Sequence, residues 1–291
     1  MSTTETPPPS IAAIPPFPRV AASKNRATPT LRPVTRRRSW GSGRAIGALV
    51  LREMSTSYGR VSGGYLWAIA EPVGGIMILA IIFSLGFRNP PIGTNFAIFY
   101  ATGLVPFLFY SDISQKLSQA IQFSRSLLAY PAVTFMDAIL GRLFTNVVTQ
   151  LLVAYIVFAG ITLTMETRTD PQLPEIALSL AMAGVLGLGI GVLNCFLFTG
   201  FPWWQKVWMI LNRPLMIASC VIFMFDTVPQ PWRDWLWWNP LVHVVGQMRK
   251  AFYPSYSGDY VSPAYVFGVG LICLTLGLTL LLRYHRDLLN G

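Results

Sequence analysis

The chain has 291 residues, of which 53% are hydrophobic and only 12% are charged, whereas soluble globular domains carry about 25% charged residues. So few charges cannot cover the surface of a water-soluble domain of this length. The formal net charge of +10 is poor evidence for nucleic-acid binding, because the basic residues are not interleaved with a stacking surface. The composition instead predicts a membrane protein whose basic residues lie near anionic lipid headgroups.

The first segment, residues 1–43, is rich in proline and basic residues. Eight prolines precede residue 41, and Arg36–Arg38 form a basic run. Few large apolar side chains are present, so burial cannot offset the entropy of ordering this segment. We predict a disordered cytoplasmic tail. It lacks the apolar core of a signal peptide, so we expect the first span to direct membrane insertion.

Residues 44–64 have the pattern of an amphipathic helix and its connection. Apolar side chains recur there at helical spacing, with polar side chains elsewhere on the helical wheel. The apolar set is Ile46, Leu49, Val50, Met54 and Tyr58. We predict a helix from Ile46 to Tyr58 that lies in the membrane interface. The alternative is an ordinary cytoplasmic helix packed on a partner protein.

Six stretches in residues 65–285 are candidates for membrane spans, which need about 20 apolar residues. The predicted spans are 65–87, 96–114, 143–165, 176–205, 207–225 and 261–282. The stretch 207–225 is less plain because it contains Arg213 and Pro214. We expect Arg213 to reach the headgroups from one end of its helix. The alternative for this stretch is a surface or re-entrant segment.

Six spans would place both chain ends on one side of the membrane. With that topology, 17 of the 22 Lys and Arg residues lie on the side of the chain ends. The positive-inside rule then predicts that both termini are cytoplasmic. We predict that residues 286–291 form a cytoplasmic C-terminus.

A second helical pattern follows the second span, and it ends before Pro131, which disfavours the helical conformation at the residue before it. The alternative is that this helix only extends the second span. On the opposite side of the membrane, residues 226–262 contain four tryptophans and three tyrosines, which concentrate at membrane interfaces. We predict a re-entrant or interfacial element there. The alternative is a simple aromatic belt.

No motif for catalysis or nucleotide hydrolysis is present in the sequence. His243 and His285 are predicted on opposite faces of the membrane, so they cannot share a metal site. Glu71 and Asp112 are the carboxylates most nearly inside spans, but the chain of deep carboxylates that a proton-driven carrier needs is missing. We therefore predict that the chain binds no metal or cofactor and is not an enzyme by itself. Any energy for transport must enter through another polypeptide.

Five motifs, in order, resemble the membrane subunits of type-2 ATP-binding-cassette (ABC-2) exporters, in the branch that exports capsular polysaccharide from Gram-negative bacteria. The resemblance runs from about Ala45 to Leu289. The motifs are Arg52-Glu53 with Tyr58-Gly59-Arg60 and Gly64-Tyr65-Leu66-Trp67-Ala68 up to Glu71-Pro72; Thr102-Gly103-Leu104-Val105-Pro106-Phe107; Leu127-Leu128-Ala129-Tyr130-Pro131-Ala132-Val133; Arg213-Pro214-Leu215; and Trp238-Asn239-Pro240-Leu241. The proline-rich tail is longer than the resemblance leads us to expect.

The resemblance implies an all-α integral membrane protein of the bacterial inner membrane with six transmembrane helices. It implies an N-terminal interface helix, a cytoplasmic coupling helix from Ile121 to Tyr130, and periplasmic re-entrant helices at 232–240. It also implies a homodimer with two copies of a separate cytoplasmic ATPase, which would hold the ATP and magnesium. A periplasmic polysaccharide co-polymerase and an outer-membrane channel are expected further partners.

Candidate site residues follow from the resemblance and from residue chemistry. Aromatic rings can stack on sugars, while polar groups take hydroxyls, so the expected substrate path is Tyr65, Trp67, Glu71, Tyr110 and Gln115. Arg52 and Arg60 are candidates to bind the phosphate of a lipid-linked substrate, with ordinary headgroup contact as the alternative. The expected coupling residues are Gln122, Arg125, Leu128, Tyr130 and Pro131. The expected periplasmic mouth is Trp232, Trp235, Trp238, Tyr253 and Tyr256.

The resemblance implies ATP-driven export of lipid-linked capsular polysaccharide. One alternative is an exporter of O-antigen or teichoic acid, which differs only in the glycan. Another is an exporter of a drug or a small lipid. A membrane-embedded glycan-modifying enzyme would need a positioned acid, base or nucleophile cluster, and none is visible.

Overall fold

The computed structural model is all-helical in the residues that it describes, which are 47, 50–51, 64–86, 89–128 and 134–290. The helices are α1 (Gly64–Gly86), α2 (Phe96–Ser118), α3 (Ala120–Leu128), α4 (Phe135–Thr164), α5 (Leu173–Gly200), α6 (Pro202–Ala218), α7 (Trp232–Trp237), α8 (Pro240–Phe252) and α9 (Pro263–Asn290). The predicted tail lies outside the described residues, and so does nearly all of the predicted interface helix.

Five helices are long and apolar enough to cross a membrane. They contain the segments Ile69–Gly86, Phe96–Ser118, Phe135–Thr164, Leu173–Gly200 and Pro263–Tyr284. These segments confirm five of the six predicted spans. Helix α4 begins eight residues before its predicted start. Thr134 and Asp137 form a capping box there, in which each side chain satisfies a backbone N–H at the helix start.

The helix at the sixth predicted span has different bounds. Helix α6 begins at Pro202 and ends at Ala218, so it has 17 residues and does not reach Phe225. The chain leaves the helical conformation at Cys220, whose φ of 58° lies in the left-handed region. A non-glycine residue in that region interrupts a helix. The start at Pro202 is favourable because proline is tolerated in the first turn.

Helices α2 and α5 form the centre of the bundle, and small residues allow α5 to approach two neighbours. A Cβ atom at Gly187 would lie 3.0 Å from the Tyr110 carbonyl oxygen of α2. One at Gly191 would lie 2.8 Å from the Leu117 Cβ of α2, and one at Gly189 would overlap the backbone of α9. Glycine at these three positions allows the helices to pack in close contact.

The non-helical segment after α6 is held by side chains of α8 and its cap. Arg249 is fully buried and donates hydrogen bonds to the carbonyl oxygens of Val221 (2.9 Å) and Phe223 (2.8 Å). Its guanidinium also stacks over the Phe99 ring of α2 at 4.6 Å. Asn239, the N-cap of α8, donates to the Ala218 carbonyl oxygen at 3.0 Å. The C-terminal end of α6 is thereby fixed to α8.

His243 of α8 has both ring nitrogens engaged by backbone groups. Its Nδ1 accepts a hydrogen bond from the Ser262 amide at 3.2 Å, so the proton lies on Nε2, which donates to the Trp237 carbonyl oxygen at 2.9 Å. Burial lowers the pKa of this imidazole from its usual value. His243 therefore has a structural role, with no nitrogen free to bind a metal.

Candidate functional site

A polar cleft of about 230 Å³ lies between α2, the C-terminal end of α5 and α6. Its lining residues are Ser111, Ser114, Gln115, Gln119, Phe198, Gln205, Trp208, Met209, Asn212 and Arg213. The cleft is open to solvent on one side and lies beside the end of α2 that leads into α3. Such polar lining is unusual between helices that are otherwise apolar.

The α2 side of the cleft is a polar stripe at helical spacing. Four polar residues recur every three to four positions along α2, so they share one face of the helix. They are Ser111, Ser114, Gln115 and Gln119. Ser114 is only 3% exposed, and its hydroxyl makes no hydrogen bond of standard geometry among the described residues, although the Tyr110 hydroxyl lies near it. This face combines carboxamides and hydroxyls, which both donate and accept hydrogen bonds.

The α6 side presents a second polar face with an aromatic ring. Gln205, Trp208, Asn212 and Arg213 are spaced so that they face the cleft together. Among the described residues, one hydrogen bond joins the lining side chains of the two faces. It runs from Asn212 Nδ2 to Ser111 Oγ at 3.4 Å. The two faces therefore remain available to a ligand.

The cleft is electropositive. No lining residue is acidic, and Arg213 contributes a permanent positive charge. A guanidinium binds carboxylate or phosphate through two parallel hydrogen bonds. The arrangement can bind a polar, anionic group, but it contains no nucleophile and base pair that would support catalysis.

Helix α3 is connected to the ends of three spanning helices. Gln122 of α3 donates from Nε2 to the Phe198 carbonyl oxygen of α5 at 3.3 Å. The Arg142 guanidinium of α4 lies 4.1 Å above the Phe123 ring of α3 and donates to the Lys116 carbonyl oxygen of α2 at 2.8 Å. A displacement of α3 would therefore move the ends of α2, α4 and α5.

The predicted substrate-path residues do not form one surface in this chain. Gln115 lines the cleft, whereas Trp67 is 73% exposed and Glu71 is exposed on α1. Tyr110 is only 1% exposed, because α5 packs directly on α2 at that level. Tyr110 is buried in the single chain, and its role in a substrate path at a dimer axis stays a prediction. Tyr65 lies in α1, and its side chain is outside the described part of the chain.

The predicted coupling and phosphate-binding residues are described only in part. Gln122 contacts α5, as noted above, and Arg125 and Leu128 lie in α3, although the structure does not describe their side chains. Residues outside the described ranges are Tyr130, Pro131, Arg52 and Arg60.

The predicted mouth residues fall into two groups. Trp232, Trp235 and Trp238 are exposed, as expected for side chains at a membrane interface. Tyr253 and Tyr256 are buried, at 3% and 8% exposure, and their assignment to the periplasmic mouth stays a prediction. They follow the end of α8 and pack into the core, where Tyr256 hydrogen-bonds the Tyr260 hydroxyl at 3.1 Å.

Sequence reasoning missed the α6 side of the cleft and the contacts of Arg142. The spacing of Gln205, Trp208 and Asn212 is a detectable signal, because it places these three polar or aromatic groups on one face of the helix. Arg142 gave no such signal. Its stacking on Phe123 depends on how α3 folds back against α4.

Comparison with known proteins adds independent information. Residues 44–253 match the ABC-2 type transporter family. The chain is 32% identical over 235 residues to the polysialic acid transport protein KpsM of Escherichia coli, which covers 81% of this chain and 91% of that relative. The matched region includes α1 to α8, and hence both the cleft and α3.

Two further relatives have lower identity but similar coverage. The capsule polysaccharide export inner-membrane protein CtrC of Neisseria meningitidis is 23% identical over 243 residues, covering 84% of this chain and 92% of the relative. The capsule polysaccharide export inner-membrane protein BexB of Haemophilus influenzae is 25% identical over 247 residues, again covering 84% and 92%.

Proposed function

The chain belongs to the ABC-2 type transporter family, and on that premise we propose that it exports lipid-linked capsular polysaccharide across the bacterial inner membrane. It is the membrane subunit of an ATP-driven transporter. The observation that carries the choice of substrate is the similarity to polysaccharide transport and export proteins over more than 90% of their length. A charged glycan needs such a protein because uncompensated transfer of polar groups out of water is costly.

The assembly that we propose contains two copies of this chain and two copies of a separate ATPase, which binds ATP and magnesium. The absence of a nucleotide-binding motif from the sequence supports a separate energy source. We propose that α6 completes a six-span topology, with both termini in the cytoplasm. The excess of Lys and Arg on that side supports this orientation.

In the mechanism that we propose, α7 and α8 are re-entrant helices at the periplasmic side, where a periplasmic co-polymerase and an outer-membrane channel would receive the glycan. Helix α3 docks on the ATPase. Closure of the ATPases on ATP displaces α3, and its contacts with α2, α4 and α5 transmit the displacement to the cleft. Packed helix interfaces can convert such small shifts into opening because they have discrete arrangements.

The test is ATP hydrolysis by the purified complex of this chain and its ATPase in proteoliposomes. We expect a lipid-linked acidic polysaccharide to stimulate hydrolysis and to become accessible on the opposite side of the vesicle. The same lipid without the glycan is the control. Equal stimulation by both, or transport of the bare lipid alone, would contradict polysaccharide export and favour a lipid exporter.

Substituting Arg142 should uncouple ATP hydrolysis from export. Arg142→Gln removes the stacking on Phe123 and the hydrogen bond to the Lys116 carbonyl oxygen, which together connect α3 to α4 and α2. We expect basal hydrolysis to remain and glycan-stimulated export to fall at least about tenfold, because loss of a charged hydrogen bond corresponds to roughly 1.5–3 kcal/mol and about 1.4 kcal/mol is a factor of ten. Both rates are measured in the same proteoliposomes.

Two controls separate coupling from misfolding. Arg168→Gln removes a positive charge from an exposed residue in the connection between α4 and α5 and should leave export unchanged. Phe123→Leu removes only the stacking, and an intermediate loss of export is expected. If Arg142→Gln assembles normally and exports at the wild-type rate, α3 does not transmit the motion through this contact.

A further inference from the structure

The cleft between α2 and α6 has features of a selective ligand site that general export does not require. A passage through which a glycan chain slides needs polar walls and no specific set of side chains. This cleft instead gathers three carboxamides with one guanidinium and one indole ring in about 230 Å³. The lining carboxamides are Gln115, Gln119 and Gln205, and Asn212 adds a fourth that already contacts Ser111.

We propose that this cleft binds one acidic sugar residue of the exported glycan, with Arg213 recognising its carboxylate. The proposal rests on the proposed polysaccharide export and adds a requirement for negative charge on the sugar. Because the volume is below the roughly 300–1,000 Å³ of pockets for drug-sized ligands, the cleft admits a single ring and not a folded segment of chain.

The chemistry of the lining matches the chemistry of a sugar acid. Carboxamides both donate and accept hydrogen bonds, as sugar hydroxyls do. The Trp208 indole offers an apolar face to the C–H face of the ring and a polar N–H at its edge. Arg213 supplies a planar pair of donors that fits a carboxylate.

Charge around the cleft favours an anion. None of the ten lining residues is acidic, so no internal carboxylate competes for Arg213 within the lining. The hydroxyls of Ser111 and Ser114 line the same space, and hydroxyls can donate hydrogen bonds to an anion.

The location of the cleft gives the binding a use. It lies beside the junction of α2 and α3, and Gln122 of α3 contacts Phe198, which also lines the cleft. An acidic sugar bound between α2 and α6 would therefore contact Phe198, whose carbonyl oxygen is hydrogen-bonded to α3, the helix that we assign to the ATPase contact. Binding of an acidic sugar in the cleft can then change the position of α3 and so affect ATP hydrolysis by the ATPase.

The test measures binding of trigalacturonate to the full chain with its ATPase in nanodiscs of uncharged phosphatidylcholine, by isothermal titration. The comparison ligand is the methyl ester of the same trisaccharide, which keeps the hydroxyls and removes the charge. We expect the wild-type complex to prefer the acid about tenfold, as a charge-assisted hydrogen bond predicts. Arg213→Gln should abolish this preference, and Trp208→Leu should weaken binding of both ligands.

The matched control is Lys206→Gln, which removes one positive charge from the same helix at an exposed residue outside the lining. It should keep the preference for the acid. The proposal is overturned if neither trisaccharide binds, if Arg213→Gln keeps the preference, or if Lys206→Gln loses it equally. Displacement of bound trigalacturonate by inorganic phosphate at a similar concentration would also overturn it, because the cleft would then be a general anion site.

Failure of this inference differs from failure of the proposed function. If glycolipid stimulates hydrolysis and is exported equally by wild-type and Arg213→Gln complexes, export stands and the acidic-sugar site does not. If no glycolipid stimulates hydrolysis while trisaccharide binding depends on Arg213, the site is real and polysaccharide export is wrong.

Discussion

Gly189→Ala is expected to destabilise the helix bundle. A Cβ atom at this position would overlap the carbonyl group of Gly270 in α9, with the carbonyl carbon 2.9 Å away. Both contacting groups are backbone, so no side chain can rotate to make room. Overpacking of this kind typically costs about 1–3 kcal/mol, and a rigid backbone contact on both sides places the cost at the upper end.

The measurement is the melting temperature of the detergent-solubilised protein, followed by size-exclusion fluorescence. We expect a decrease of at least about 5 °C. Gly184→Ala is the matched control in the same helix, because its Cβ would meet only the Phe109 Cε1 at 3.4 Å, an ordinary contact. Both changes gain about 1 kcal/mol of helix propensity, so equal melting temperatures for the two variants would show that α5 and α9 are not in close contact.

The spans of this chain are predictable from sequence because their signal is local. A run of about 20 apolar residues excludes charge over its whole length, and five such runs became long helices. The glycines of α5 are predictable as packing residues for the same reason, since few other roles suit small residues inside an apolar helix. Their partners are not predictable, because Gly187 and Gly189 face different helices two residues apart.

The bounds of α6 were harder to predict because two opposing signals overlap there. Lys206 and Arg213 both interrupt the hydropathy pattern, and the predicted span was begun after Lys206, so it started later than the helix, which begins at Pro202. The end at Ala218 depends on the left-handed conformation of Cys220, which has no glycine or asparagine signature in the sequence. Of these two charges, only Arg213 also lines the cleft and makes that face of α6 polar.

The facing of aromatic residues was the least predictable property of the candidate site. Tyr110 and Tyr253 each have an apolar ring and a polar tip, so composition allows either an interior or an interfacial position. Burial of Tyr110 follows from the close approach of Gly187 to its backbone, a contact 77 positions away in the chain. Such facings depend on tertiary packing, which residue type and spacing do not contain.

Arg249→Met is expected to release the C-terminal end of α6. The buried guanidinium donates to the carbonyl oxygens of Val221 and Phe223. These residues lie in a non-helical segment, so among the residues that the structure describes no backbone N–H of a helix donates to their carbonyl oxygens. Each buried carbonyl left without a partner costs about 1–3 kcal/mol. Since α6 carries half of the cleft lining, we expect loss of acidic-glycan export together with a lower melting temperature, measured on the same purified complex.

Two neighbouring substitutions make this expectation specific. Lys250→Met also removes one positive charge, but from the next residue, which is exposed. It should have little effect on export or on the melting temperature. Arg249→Lys keeps the charge but cannot reach two carbonyl oxygens with a fixed fork, so it should recover stability only in part. Full recovery by lysine would mean that the charge of Arg249, through its position over the Phe99 ring, holds this segment, and that the paired hydrogen bonds do not.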